Sequence, residues 1–127
     1  MTKIETRTSV IFLFEKGIIW EDLKSNVEIG VPDIQENILA SLTLTNGKRH
    51  SAVLDARDKE ISITNDAMRY GASKAVSQDR VATAHLTNSI GGKLVGNFFM
   101  KFFKPNLHNR MFSDEKEAIA WLRSFSV

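Results

Sequence analysis

Cysteine is absent from the 127-residue chain, which excludes disulfides, thiol nucleophiles and thiolate metal sites together. The chain also lacks any apolar run near the ~18–20 residues that a membrane-spanning helix needs. Residues 1–8 carry an acidic side chain and no apolar stretch of signal-peptide length, so we expect no export signal. These absences predict a soluble, cytoplasmic protein.

Motifs for catalysis and metal binding are missing as well. No serine stands in a G-x-S-x-G context, and the three histidines, His50, His85 and His108, share no helix and show no metal-ligand spacing. We read His85, which falls within a predicted strand, as a structural residue. The sequence therefore predicts a protein that is not an enzyme and that has no catalytic residues, no metal and no cofactor.

The charges are nearly balanced, with 17 basic and 15 acidic residues and a net charge of +2. This small excess does not indicate a nucleic-acid partner. The five basic residues between Arg80 and Ser113 have no acidic residue among them. They are either ordinary solvated positions or a surface that contacts a membrane or an acidic partner.

The hydrophobic content of 43% and the charged content of 25% are typical of a globular protein, and the length fits a single domain over residues 1–127. Apolar, β-branched runs predict strands at residues 8–14, 18–23, 51–56, 81–87 and 109–112. Capping residues and apolar spacing predict helices at about 31–45, from Thr64, from Asn88 or Ser89 to Lys104, and after Asp114. The order ββαβαβαβα indicates an α/β fold with a mostly parallel sheet.

Apolar spacing also predicts which face of each helix is buried. In the first helix, Ile34, Ile38 and Leu42 lie four residues apart. The second helix has a stripe of small residues that would allow close packing on the sheet: Ala67, Gly71 and Ala75. The last helix should face inward with Ala118, Trp121, Leu122 and Phe125.

The predicted third helix is unusual, because its apolar residues cover an arc of ~220° where about 100° suffices against one sheet face. The residues of this wide apolar surface are Leu94, Val95, Phe98, Phe99, Phe102 and Phe103. The excess is covered either by the fourth helix and the loop after the third, or by a second subunit, an apolar ligand or a lipid surface.

The turn after the central strand is a second candidate site, because functional groups gather at the carboxyl ends of parallel strands. Asp55 ends that strand, and Arg57 follows it. Ser62, Thr64 and Asn65 lead into the next helix, whose first N–H groups attract anions. We expect a protein partner or an anion here. Alternatively, Asp55 pairs only with Arg57 or a backbone N–H, and Thr64 is only a helix cap.

Three segments resemble the STAS-like superfamily, which includes the SpoIIAA-like anti-sigma-factor antagonists and the STAS/CRAL-TRIO-like small bacterial domains of unknown function. The first is Val-Leu-Asp-Ala-Arg at 53–57 followed by Ile-Ser-Ile-Thr at 61–64. The second is residues 90–105, with Gly-Asn-Phe-Phe at 96–99. The third is Arg-Met-Phe-Ser-Asp-Glu at 110–115, followed by Ala118, Trp121 and Leu122.

The resemblance implies an N-terminal hairpin, a sheet of four or five strands, and helices mainly on one side. In the antagonist branch a serine at the start of the second helix is phosphorylated. Here Asn65 takes that position, and Ser62 and Thr64 are the nearby hydroxyls. The CRAL-TRIO branch implies an apolar or lipid ligand.

Two functional hypotheses follow. The first is a non-enzymatic regulatory module that binds a protein partner or forms a homodimer. The second is a module that binds a lipid, a membrane surface or a small apolar ligand through the third helix. A cavity above about 300 Å³ lined by the phenylalanines of the third helix would favour the second hypothesis.

Overall fold

The computed structural model of the protein describes residues 2–89 and 108–125. The described strands are β1 Lys3–Glu5, β2 Ser9–Glu15, β3 Ile18–Leu23, β4 Val27–Ile29, β5 His50–Asp55, β6 Ile61–Ile63, β7 Arg80–Leu86 and β8 His108–Phe112. The described helices are α1 Val31–Leu44, α2 Asn65–Gly71, α3 Lys74–Ser77 and α4 Glu115–Arg123. The predicted third helix lies outside the described residues, together with its apolar residues Leu94, Val95, Phe98, Phe99, Phe102 and Phe103.

The main sheet has six described strands in the order β1-β2-β3-β5-β7-β8. The pairs β1–β2 and β2–β3 are antiparallel, whereas β3–β5, β5–β7 and β7–β8 are parallel. The predicted α/β class, the N-terminal hairpin and the mostly parallel sheet are therefore confirmed. The sheet is larger than the four or five strands that we expected, because β1 extends the antiparallel edge.

One face of the main sheet is covered by α4. The sheet supplies Ile18, Trp20, Val53 and Leu86 to an apolar cluster, and Leu122 of α4 packs into it. Trp121 and Phe125 border the same cluster with ring centroids 5.0 Å apart, so the predicted inward face of the last helix is confirmed. Asp114 caps this helix by accepting a hydrogen bond from the Glu117 N–H at 3.2 Å.

The opposite face is covered by α1, whose Ala40 packs against Ile11, Ile19 and Ala52. Adjacent residues such as Ile18 and Ile19 thus enter different cores, as the two-residue period of a strand requires. The described helices lie on both faces of the sheet: α1, α2 and α3 on one face and α4 on the other. The physical reason is that the central strands are apolar on both faces, and each face must be covered.

The buried side of α1 differs from the predicted stripe of Ile34, Ile38 and Leu42, which are only half-buried. The buried side is largely polar and includes Asp33, Asn37, Ala40 and Ser41. Asn37 fits there because Thr6 donates a hydrogen bond to its Oδ1 at 2.6 Å, and its Nδ2 donates to the Thr8 hydroxyl at 3.0 Å. Burial of polar groups is tolerated when they are hydrogen-bonded in this way.

The second predicted helix is divided into α2 and α3. Ala67 and Gly71 are buried as expected, but Ala75 is exposed because α2 ends at Gly71 and the chain resumes a helical turn only at Lys74.

A small second sheet was not predicted: β4 pairs with β6 in parallel, joining Val27 to Ile61 and Ile29 to Ile63. It lies beside α1 and brings residues 61–63 toward the main sheet.

Candidate ligand pocket

A cavity of about 560 Å³ lies between the α1-covered face of the main sheet, the second sheet and the α2–α3 segment. Its apolar lining includes Leu54 and Met111 of the main sheet, Ile34 and Ile38 of α1, and Ile61 and Ile63 of β6. Two of the half-buried positions of α1, Ile34 and Ile38, therefore face this cavity. The lining is mainly aliphatic, which is the usual character of a small-molecule site.

Polar side chains enter the cavity from successive strands of the sheet. The register aligns Glu21 of β3 with Leu54 of β5, Leu54 with His85 of β7, and His85 with Met111 of β8. A neighbouring row is formed by Thr83 and Asn109, which are also register partners. The parallel pairing thus brings together side chains that are distant in the sequence.

Glu21 is a buried carboxyl at this cavity with a raised pKa. Its side chain lies on the same side of β3 as Ile19 and Leu23, and the residue is only 7% exposed. Burial raises the pKa of its carboxyl from 4.5 to about 7, although the positive charge of Arg80 opposes this effect. Among the described residues, no hydrogen bond reaches the Glu21 carboxyl. Because the residue lines the cavity, its carboxyl is available to a bound molecule.

Arg80 provides a buried positive charge at the same cavity and is 8% exposed. Its Nη1 donates a hydrogen bond to the Thr83 hydroxyl at 3.0 Å. Burial lowers the pKa of the guanidinium, and the charges of Glu21 and Asp79 oppose that shift. Arg80 and Glu21 influence each other through space without forming a direct ion pair.

His85 lies in the middle of the polar row, and its Nε2 is 2.9 Å from Oδ1 of Asn109. Burial, assisted by the charge of Arg80, lowers the pKa of His85 to about 4, and the bond to Asn109 opposes this. The imidazole is therefore neutral near pH 7. With an amide oxygen as its partner, Nε2 is assigned as the protonated nitrogen.

Two further polar atoms at the cavity have no hydrogen-bond partner within the described part of the chain. They are the hydroxyl oxygen of Thr87 and Nδ2 of Asn109, and both atoms are buried. A buried polar atom without a partner costs about 1–3 kcal/mol. These atoms add a donor and an acceptor to the groups that a ligand could contact.

The predicted turn site is organised around an ion-pair network. Arg57 donates to Asp55 from Nε at 3.0 Å and from Nη2 at 2.9 Å, and Nη2 also contacts Glu115 at 3.0 Å. Burial disfavours the Asp55 carboxylate, but the hydrogen bonds from Arg57 outweigh burial and lower its pKa. An anion at Arg57 would therefore compete with two carboxylates that already bind it.

The remaining residues of the predicted turn site lie apart from this network. Ser62 is exposed in β6, and Asn65 is exposed at the start of α2. Thr64 caps α2 by accepting a hydrogen bond from the Ala67 N–H at 3.1 Å. In the described ranges, no hydrogen bond joins these three residues to Asp55 or Arg57. Their role in binding a partner or an anion stays a prediction.

The sequence analysis did not identify the cavity residues as a site. Residues two apart in a strand point to the same face of the sheet, so Glu21 shares a face with the apolar residues Ile19 and Leu23. A charged residue on an otherwise apolar strand face is the sequence feature that could have indicated this site. Arg80 was treated as part of a basic segment, although it begins a buried strand.

A family model described as "Domain of unknown function (DUF7793)" matches residues 12–126. The chain belongs to this family. The matched stretch contains the strands that line the cavity, from β3 to β8, together with α1. No curated protein and no solved structure matches the chain.

Across residues 2–89 and 108–125, no group of three or more His, Asp or Glu side chains is placed to hold a metal ion. None of the helices in these ranges is long and apolar enough to cross a membrane.

Proposed function

We propose that this chain is a binding module for a small, mainly apolar molecule that occupies the cavity on the α1-covered face of the sheet. The observation that carries the proposal is the cavity itself. Its volume of about 560 Å³ lies within the roughly 300–1,000 Å³ that small-molecule sites occupy. An aliphatic lining with a few convergent polar groups is also the usual composition of such sites.

The energetics of the cavity support the same function. Side chains that line a cavity lose dispersion contacts that a filled core would provide. The charged groups of Glu21 and Arg80 are also removed from water there, which is costly without full hydrogen bonding. A molecule that fills the cavity and contacts these groups would offset both costs. The fold is thus more favourable with a ligand than without one.

A regulatory protein-interaction module with a STAS-like fold is the second candidate. Its support is the resemblance described above, together with an N-terminal hairpin that continues into a parallel sheet. Titration with phosphate tests the turn, with amide shifts followed at residues 62–66. A response that Arg57→Ala removes would support a site there, whereas equal or absent shifts in both proteins would eliminate it.

Neighbouring positions on α1 give a matched test of the ligand-binding proposal. Ile38 lines the cavity, whereas Leu39 is 66% exposed. We expect the neutral apolar dye Nile red to bind the wild type with enhanced fluorescence. Ile38→Trp should reduce that binding by filling the cavity, and Leu39→Trp should leave it unchanged.

The contrast between the two variants decides the interpretation. Equal effects of both substitutions, in proteins with the same circular dichroism, would mean that the dye binds elsewhere. Absence of dye binding to the wild type would mean that the cavity does not admit an apolar molecule. Mass spectrometry of the purified protein under native conditions adds an independent search for a molecule that copurifies.

A further inference from the structure

We infer that the molecule bound in the cavity is an apolar carboxylic acid, with its carboxylate held by Arg80 and its hydrocarbon part against the aliphatic lining. This inference rests on the proposed function. It adds the chemical class of the ligand and assigns the residue that would recognise it. It follows from three features of the described residues: unused donors on Arg80, the absence of a compensating anion, and a neighbouring carboxyl that can carry a proton.

The guanidinium of Arg80 has N–H donors that are not used in hydrogen bonds within the described part of the chain. Its side chain forms one hydrogen bond, from Nη1 to Thr83, and Nε and Nη2 have no partner in the described part of the chain. The residue is more than nine-tenths buried and lines the cavity. The planar guanidinium fork matches a carboxylate in a two-bond arrangement, and charged hydrogen bonds of this kind are stronger where water is excluded.

The positive charge of Arg80 is only weakly compensated by its surroundings. Asp79 and Glu21 act on it from a distance, and neither forms an ion pair with it. The two buried histidines nearby add no second positive charge and no compensating negative one, because burial and the charge of Arg80 lower the pKa of His50 and His85 to about 4 and leave both neutral near pH 7. Arg49 contacts only the backbone oxygen of Arg80. An anionic ligand is therefore the missing complement of this charge.

The protonation state of Glu21 determines whether an anion binds favourably beside Arg80. Burial places its pKa at about 7, so the protonated form is common in mildly acidic solution. A protonated carboxyl can donate a hydrogen bond to the carboxylate of the ligand. The ionised form would instead repel that carboxylate and partly neutralise Arg80. The other charged groups at the cavity, Lys59 and Glu60, lie at its solvent side and are half-buried and exposed respectively.

The experiment compares two probes that differ in the head group, octanoate and octanol. Their affinities for the full chain are measured by isothermal titration calorimetry at about pH 6, one unit below the Glu21 pKa of about 7. We expect octanoate to bind more tightly by roughly tenfold to a hundredfold, the usual worth of charged hydrogen bonds. Arg80→Met should remove this preference and leave octanol binding unchanged.

A second variant keeps the inference testable if Arg80→Met does not fold. In the wild type the preference for octanoate should decrease as the pH rises through about 7, because Glu21 becomes ionised. Glu21→Gln is close in shape and cannot ionise, so its preference should stay constant over the same range. A wild-type preference that is independent of pH, or a preference in Glu21→Gln that still falls, would overturn the assignment.

Failure of this inference can be distinguished from failure of the proposed function. If both probes bind with equal affinity and Ile38→Trp weakens both, the cavity binds apolar molecules but Arg80 does not recognise a carboxylate. If neither probe binds, the proposed function itself is contradicted. A preference for octanoate that survives Arg80→Met in a folded protein would place the recognition at another residue and would also refute the inference.

Discussion

The buried carboxyl of Glu21 should make the stability of the protein fall as the pH rises. Burial raises its pKa from 4.5 to about 7 in the folded chain. Between these values the folded state binds more protons than the unfolded state, so the free energy of unfolding decreases with increasing pH. At about 1.4 kcal/mol per pKa unit, the loss amounts to about 3 kcal/mol and is complete above pH ~7.

The assay is urea unfolding of the wild type and of Glu21→Gln at several pH values from about 4.5 to 8. We expect the variant to gain stability relative to the wild type by about 3 kcal/mol as the pH rises through this range. Because Gln cannot ionise, its own curve lacks the contribution of the carboxyl. A matched control is Glu28→Gln, which changes an exposed carboxyl in β4. It should not reproduce the gain expected of Glu21→Gln, because the Glu28 side chain is not buried.

The difference between the wild-type and Glu21→Gln curves separates the contribution of Glu21 to the free energy of unfolding from that of the histidines. His50 has a pKa lowered to about 4 by burial, so it is neutral when folded and makes stability increase with pH up to its unfolded value of 6.5. This contribution is common to the wild type and to Glu21→Gln and cancels in their difference. A difference that does not vary with pH would refute the reasoning, because the Glu21 carboxyl would then be as well solvated folded as unfolded.

Three further substitutions test the contacts that hold the site in place. Asn37→Ala should cost about 1–3 kcal/mol in urea unfolding, because it leaves the buried Thr8 hydroxyl without its donor. Thr64→Ala should cost about 0.5–2 kcal/mol by removing the α2 cap, with no change in Nile red binding. Arg57→Ala should destabilise the protein at neutral pH and less in acid, because the pKa of Asp55 is lowered by its hydrogen bonds with Arg57 and its carboxylate is lost as the pH falls.

The main strands could be predicted because each is a continuous apolar, β-branched run. The segment 18–23 coincides with β3, and the other four strands are displaced by one residue or extended by one. The short strands β4 and β6 could not be predicted in this way. Each has three residues, and what defines them is their pairing with each other across more than 30 intervening positions. Pairing between segments so far apart cannot be predicted from the local sequence of either one.

The orientation of α1 was predicted wrongly for a related reason. The spacing of Ile34 and Ile38 indicates an apolar face, and that face exists, but it borders the cavity. The buried face instead includes Asn37. Its side chain is hydrogen-bonded to the hydroxyl groups of Thr6 and Thr8, which precede β2. Helix periodicity shows where apolar residues lie. It does not show which distant groups satisfy a polar one.

The cavity residues depend even more on tertiary structure. Glu21, His85 and Asn109 come from three strands that are far apart in the sequence, and only the parallel register brings them to one surface. None belongs to a short motif. A charged residue at an inward strand position, as at Glu21, is the one local feature that identifies a site of this kind before the structure is known.

The two faces of the main sheet differ in the side chains that they carry. The face covered by α4 is a continuous apolar core in which Trp20, Val53 and Leu122 are buried. The opposite face carries Glu21, Arg80 and the cavity, with the Thr87 hydroxyl and the Asn109 amide nitrogen that have no partner among the described residues. Arg80 forms no ion pair with a carboxylate of the described residues, and a buried charge without such a partner is costly to keep. Variants such as Arg80→Met should therefore keep the α4 core intact, so that a loss of octanoate binding reports on recognition and not on folding.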